Sequence, residues 1–303
     1  MSRIQTWWQA TRPFSFPASV IPALLGGLVA VVHAGVRLKV GDYILAAAGA
    51  AAVHAAANLL ADYFDFRTGV DSVETQGASR GMLVSGRMTP REALLASGLL
   101  WLLTGLLAAY FVWRAGAVLL PVIAGGLVIG AGYTVAPLKL KYRALGDACV
   151  FLTFGVGITL GAYTVQAGHL AWTPVFYSLP IAVLIWAILH SNNLRDIETD
   201  RRARIRTLAM LLGRDRSRRL YVLLLAAAYA LVVGFVLAGL YVMPALATLL
   251  SLPLAIGAMR QVVDTEATPA APAAWVTLDI RTAQLQMAFG LLLVVALAGR
   301  ALF

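Results

Sequence analysis

The chain has 303 residues, 60% of them hydrophobic and 13% charged, with a mean hydropathy of +0.81, and a water-soluble globule of that length would need far more polar surface. Its 24 Lys and Arg against 14 Asp and Glu give a formal charge of +10, but the bases punctuate long apolar runs instead of coating a polar domain. That pattern makes the lipid bilayer the expected partner and leaves no role for nucleic acid. The single cysteine, Cys149, excludes an internal disulfide and a cysteine-based metal cage.

A spanning helix needs about 20 mostly apolar residues, because the hydrocarbon layer is about 30 Å thick. Nine such runs follow one another, at approximately 15–34, 41–64, 92–113, 116–136, 146–166, 173–194, 218–239, 241–259 and 283–301. The pair meeting at Gly239 to Tyr241 is the hardest to separate. Pro22, Pro121, Pro180, Pro244 and Pro253 lie inside the runs, where neighbouring helices would have to cover the freed carbonyls. No cleavable signal is apparent ahead of the first run. With the amino terminus in the cytoplasm, 20 of the 24 bases fall on the inner side and only Arg37, Lys39, Arg114 and Arg300 outside. That asymmetry sets the expected orientation and accounts for the net charge.

Acids at helix ends are the informative groups, since ionisable side chains near lipid are costly. At 100° per residue, Asn58, Asp62 and Asp65 fall within about 60° of one another on the second helix, and Asn192, Asp196 and Asp200 within about 80° on the sixth. Two such stripes facing each other would crowd at least four carboxylates. Hard oxygen donors without cysteine point to Mg²⁺, which keeps some of its water and joins carboxylates to a substrate's phosphates. Arg67, Lys139, Lys141, Arg195 and Arg202 lie within a turn or short loop of the stripes, as a diphosphate bridged to Mg²⁺ would require. The plainer alternative, wet helix-end charges anchoring the topology, does not call for the two asparagines.

Asn58 to Asp71 (NLLADYFDFRTGVD) and residues 190–213 (HSNNLRDIETDRRARIRTLAMLLG) resemble the two aspartate-rich motifs of the UbiA superfamily of intramembrane prenyltransferases. The likeness extends to Arg12-Pro13, to Ser79-Arg80 with Gly86, to Tyr133-Thr134 leading to Pro137-Leu138-Lys139, to Leu145-Gly146-Asp147, and to Gly161 through Gly168. Asp62-x-x-Asp65 followed by Gly69-x-Asp71 is most similar to the 1,4-dihydroxy-2-naphthoate polyprenyltransferases of menaquinone synthesis. Leu59, Ala61 and Phe66 depart from residues typical of one branch or another.

The resemblance implies one all-α membrane domain over residues 1–303: nine helices around a central cavity, the amino terminus cytoplasmic, capped by loops at about 66–91 and 195–217. It implies Mg²⁺-dependent transfer of a polyprenyl group from an isoprenyl diphosphate to an aromatic acceptor, in a bacterial-type inner or plasma membrane with the site on the cytoplasmic side. Asn58, Asp62, Asp65, Asn192, Asp196 and Asp200 are carried over as metal ligands, the four aspartates as catalytic residues, and Arg67, Lys139 and Arg195 as diphosphate contacts. Arg12 is set against the acceptor's carboxylate, and Tyr133 against the cation or the acceptor. Asp71 either joins the metal site or orders its loop, and Asp147 either caps its helix or joins the site. His54, one turn deeper than Asn58, is either a proton acceptor or a core histidine bonded to a neighbouring helix, the commoner case. Other acceptors (4-hydroxybenzoate, homogentisate, a chlorophyll precursor) and cyclisation without an acceptor stay open. A transporter is the alternative from another class, but no motif acid sits at mid-membrane as an ion relay would require.

Overall fold

The computed structural model describes residues 2–70, 81–203, 205–264 and 275–302. These are helical nearly throughout, and the described residues contain no strand beyond an isolated bridge between Arg143 and Arg206. Helix α1, Arg3–Ala10, opens with a capping box in which Ser2 and Gln5 satisfy each other's backbone donors. There follow α2 (Pro17–Ala34), α3 (Val40–Arg67), α4 (Pro90–Ala115) and α5 (Leu120–Gly132). Next come α6 (Gly146–Val150) and α7 (Ile158–Ala167), joined through a π-helical stretch, Phe151–Gly157. Helices α8 (Thr173–Arg195), α9 (Ile197–Arg202), α10 (Leu208–Leu212) and α11 (Arg214–Leu237) complete the middle of the chain. A 3₁₀ segment, Met243–Ser251, leads into α12 (Leu252–Asp264), and α13 (Leu278–Leu302) ends the bundle.

Among the described residues eight helices are long and apolar enough to cross a bilayer, and their places agree with eight of the nine expected runs. The exception is 116–136, which yields only the shorter apolar helix Ala117–Gly132. Two β-branched residues, Thr134 and Val135, and then Pro137 follow it, and the chain turns off at Tyr133. The junction near Gly239 is a true break: Gly239 adopts φ 71° and the backbone N–H groups of Leu240 and Tyr241 both donate to the carbonyl of Phe235. The last run begins five residues before the expected 283, which brings Asp279 into the first turn of α13. The expected stripe on the sixth helix is also interrupted. Helix α8 stops at Arg195, Asp196 leaves helical geometry (φ −94°, ψ 10°), and Asp200 belongs to α9.

Without a hydrophobic force between helices in lipid, close approach depends on small residues. A methyl at Gly26 would stand 2.1 Å from the Thr159 carbonyl oxygen, and one at Gly155 would stand 2.2 Å from Ala182 Cβ, so α2 meets α7, and the π stretch meets α8, nearly backbone to backbone. In their most apolar stretches α2 is 61% and α8 67% buried, against 11% for α4. The first two are therefore the centre of the bundle, and α4 turns Leu95, Leu99, Leu102 and Leu106 outward as a lipid-facing wall. Gly26→Ala is expected to cost about 1–3 kcal/mol by overpacking and to lower the thermal transition of the detergent-solubilised protein. Gly126→Ala, with nothing within 4 Å of the added methyl, is expected to leave it unchanged or slightly raised.

Candidate active site

A cavity of about 270 Å³ opens at the end of the bundle where the loops between α3 and α4, α5 and α6, and α8 and α11 lie. Asn58, Asp65, Asn192, Asp196 and Asp200 line this end, together with Arg12, Lys141, Arg195 and Asp279, whereas Asp62 does not border the cavity and pairs with Arg12, which does. The other half is apolar, bordered by Phe14, Ala18, Ile129, Val150, Phe154 and Ile185. The helix segments bearing the two aspartate-rich motifs thus border one space, as their spacing suggested.

Three of the four motif aspartates are held by a base from another part of the chain or from the adjoining residue. Arg12, the left-handed residue between α1 and α2, forms an ion pair with Asp62. Lys141 Nζ lies 2.5 Å from Asp65 Oδ2, while the Tyr142 hydroxyl donates to Asp65 Oδ1 at 2.7 Å. Arg195 grips Asp196 with two bonds of 2.7 Å and reaches Asp279 of α13 at 3.4 Å. Planar guanidinium on carboxylate is the strongest of these geometries. Asp200 has no ion pair or hydrogen bond from its side chain among the described residues. Burial, then the charges of Asp196 and Asp65, push its carboxyl up to about 7. Lys141 moves the other way from what burial would dictate: the neighbouring Asp65, with Tyr133 and Tyr142, holds the ammonium above its ordinary pKa. Asn58 donates to the Thr11 carbonyl at 3.1 Å, which leaves its side-chain oxygen uncommitted.

The loop carrying Lys141 is tied down by backbone. Ala144 N–H donates to the Arg206 carbonyl at 2.7 Å and Arg206 N–H to the Tyr142 carbonyl at 3.4 Å, so the segments before α6 and before α10 form one lip.

Two expected diphosphate contacts do not border the cavity. Arg67 is exposed because two residues on a helix turn it about 200° from Asp65. Lys139 is exposed because it is the left-handed residue that starts the tight turn Leu140–Tyr142; the turn delivers Lys141 instead. Asp147 neither caps α6 nor lines the cavity. Its buried carboxylate accepts from Trp186 Nε1 at 2.9 Å and Asn193 Nδ2 at 3.1 Å and lies 3.3 Å from His190 Nδ1, locking α6 to α8. Tyr133 lines the cavity. His54 bonds to Ser19 of α2 and to Ser15, the arrangement expected of a core histidine, yet its ring also borders the cavity. Asp71 and Ser79-Arg80 lie outside the described residues. Asp279 was not singled out by spacing, although a carboxylate set at the mouth of the last apolar run is the same signal that marks the others.

The donor set suits Mg²⁺: carboxylate and amide oxygens around one space with no sulfur ligand. Among the described residues no three acids or histidines are gathered tightly enough to hold an ion by themselves. That is compatible with an ion that takes one or two carboxylates and completes its shell with water and phosphate oxygens.

A family model described as the UbiA prenyltransferase family matches residues 19–298. Over 259 residues the chain is 38% identical to UbiA prenyltransferase domain-containing protein 1 of Xenopus tropicalis, covering 84% of this chain and 73% of that one. Its homolog from Drosophila melanogaster is 35% identical over 308 residues, covering 97% and 79%. Among solved structures, a UbiA homolog from Aeropyrum pernix K1 superposes with a TM-score of 0.66 at 18% identity, covering 99% of this chain and 98% of that one. A UbiA homolog from Archaeoglobus fulgidus bound to GPP and Mg²⁺ gives 0.61 at 17%, covering 96% and 99%. At such identity the structural likeness is one of fold. These curated relatives are animal proteins, so the narrower resemblance to naphthoate enzymes of menaquinone synthesis, and the bacterial-type membrane, find no support in them.

Asp147→Ala removes the acceptor of the part-buried Trp186 and Asn193 N–H groups and is expected to destabilise the protein by about 1–3 kcal/mol, read as a lowered thermal transition. Asp147→Asn is expected to recover part of that loss.

Proposed function

The chain belongs to the UbiA prenyltransferase family and is a membrane-embedded prenyltransferase, and we propose that it transfers a polyprenyl group from an isoprenyl diphosphate to a hydroxylated aromatic acceptor of the 1,4-dihydroxy-2-naphthoate type. The observation that carries this reading is the division of one cavity into an acidic and basic mouth and an apolar interior. A substrate with a charged head and a hydrocarbon tail matches both halves, and a membrane enzyme is where it would partition. The distribution of bases argues that the mouth faces the cytoplasm.

In this reading Asn58, Asp62, Asp65, Asn192, Asp196 and Asp200 hold Mg²⁺ directly or through water, and Lys141, Arg12 and Arg195 receive the diphosphate. Mg²⁺, when bound, draws off negative charge as it develops on the leaving oxygen. The three bases add preorganised positive charge at the same place, where low dielectric magnifies it. Breaking the allylic C–O bond leaves a carbocation, which the electron-rich acceptor ring captures. Phe14, Val150, Phe154 and Ile185 exclude water that would otherwise hydrolyse the cation. The backbone ties between 142–144 and 206 steady their neighbours Lys141, Ile205 and Thr207, which line the cavity.

Asp62→Ala and Asp196→Ala are each expected to lower diphosphate release by at least about 100-fold, measured with purified protein, Mg²⁺, geranylgeranyl diphosphate and acceptor. Unchanged turnover in both rejects the site. Chelation is expected to stop the reaction and added Mg²⁺ to restore it, and mass spectrometry of the products from a panel of acceptors decides among naphthoate, 4-hydroxybenzoate and homogentisate.

A further inference from the structure

In the apolar half of the cavity one polar corner stands apart from the carboxylates. His54 of α3 is 7% exposed and borders the cavity, its ring between Phe154, at 4.7 Å centroid to centroid, and Phe16, at 5.8 Å. Ser19 Oγ lies 3.2 Å from Nδ1 and Ser15 Oγ 3.2 Å from Nε2. Each hydroxyl also donates its single proton to a main-chain carbonyl: Ser15 to Arg12 at 2.8 Å and Ser19 to Phe16 at 3.0 Å. Both serine oxygens therefore present lone pairs to the ring.

A neutral imidazole has one N–H and satisfies one of those oxygens, leaving the other nitrogen's lone pair facing an oxygen lone pair. The protonated ring, with two N–H groups, satisfies both. A proton gained at Nε2 would therefore meet an oxygen able to accept it. Ser19 is fully buried and Ser15 borders the cavity, so the resting proton belongs on Nδ1 against Ser19, and Nε2 keeps its lone pair on the open side. This is a base oriented by a second group, the arrangement general-base catalysis requires. Along α3 the histidine stands eight residues, about 12 Å, from Asp62, which leaves room for an aromatic ring between it and a diphosphate held at the mouth.

We propose that His54 is a catalytic base that takes the hydroxyl proton of the aromatic acceptor as its ring captures the allylic cation; this rests on the prenyl-transfer reading of the cavity. The acceptor hydroxyl takes the place of Ser15 Oγ at Nε2, its proton goes to Nε2, and the O–H electron pair becomes the C=O of a keto intermediate. A ring π pair forms the new C–C bond, and the C–O pair of the prenyl ester leaves on the diphosphate. The keto intermediate then expels its ring substituent: CO₂ from a 2-carboxylated acceptor, or H⁺, which the released diphosphate takes up. The freed pair restores the aromatic ring, and His54 returns its proton to the oxygen.

His54→Gln and His54→Ala in the full chain, assayed with Mg²⁺, geranylgeranyl diphosphate and a series of naphthols graded in hydroxyl acidity, test this. Expected are a loss in transfer rate of about 100-fold or more with the KM for the diphosphate within about twofold, a loss that shrinks with the more acidic naphthols, and partial rescue by added imidazole. Ser19→Ala, which removes only the Nδ1 partner, is expected to lose about tenfold with the same dependence on acidity, and it serves if the histidine variants do not fold. Unchanged transfer, or an equal loss across the whole naphthol series in the folded variants, overturns the assignment. If the unmodified chain prenylates no acceptor at all while binding the diphosphate, the functional reading itself fails, and this inference with it.

Discussion

Carboxylates gathered at the end of an apolar bundle, Asp65 buried and the others half-buried, repel one another where the medium screens poorly, and the rest of this structure is arranged around that fact. Asp62, Asp65 and Asp196 each have a base against them, and those bases come from three separate places: the link before α2, the loop before α6, and the end of α8. Holding them there requires the left-handed turn at Arg12, the backbone ties between 142–144 and 206, and the reach of Arg195 to Asp279 across to α13. Two of these devices lie outside the segments that carry the aspartates, and the reach to α13 couples the last helix to the site. The arrangement is suited to a ligand that itself combines cations with anionic phosphate, since such a ligand offers partners to acids and bases together.

The division of labour among helices follows from the same constraint. Helices α2 and α8 are enclosed and small-residue packed, so they provide rigid walls. The π-helical stretch Phe151–Gly157 turns Thr153 and Phe154 into the cavity and seats Gly155 on Ala182, a use of helical irregularity typical of functional sites. Asp147 illustrates how a buried charge can serve position without touching the cavity: it fixes Asn193 and His190 and thereby the register of the α8 end that presents Asn192, Arg195 and Asp196.

Hydropathy made the membrane spans readable, because a 20-residue apolar requirement is a crude but strong filter. The Asn-x-x-x-Asp spacing identified the two motifs for a related reason: few features other than a shared ligand place amides and acids on one stripe. What the pattern could not convey was local geometry. Helix phase explains Arg67 facing away, a tight turn explains Lys141 replacing Lys139, and a single non-helical residue at Asp196 moves Asp200 onto its own short helix. Asp279 escaped notice because its helix starts earlier than its apolar run. The acid–base pairings join residues as far apart as Arg12 and Asp62, or Lys141 and Asp65, and no local periodicity encodes such contacts.

The central claim is that opposed oxygen-bearing edges, one from α3 and one from the end of α8 with α9, share a single divalent ion with a substrate diphosphate. Mn²⁺ in place of Mg²⁺ makes this directly measurable by electron–nuclear double resonance on the protein with an isoprenyl diphosphate. The account predicts a ³¹P coupling to Mn²⁺ that disappears in Asp65→Ala and in Asp200→Ala alike. A ³¹P-coupled ion that survives removal of either edge would contradict it.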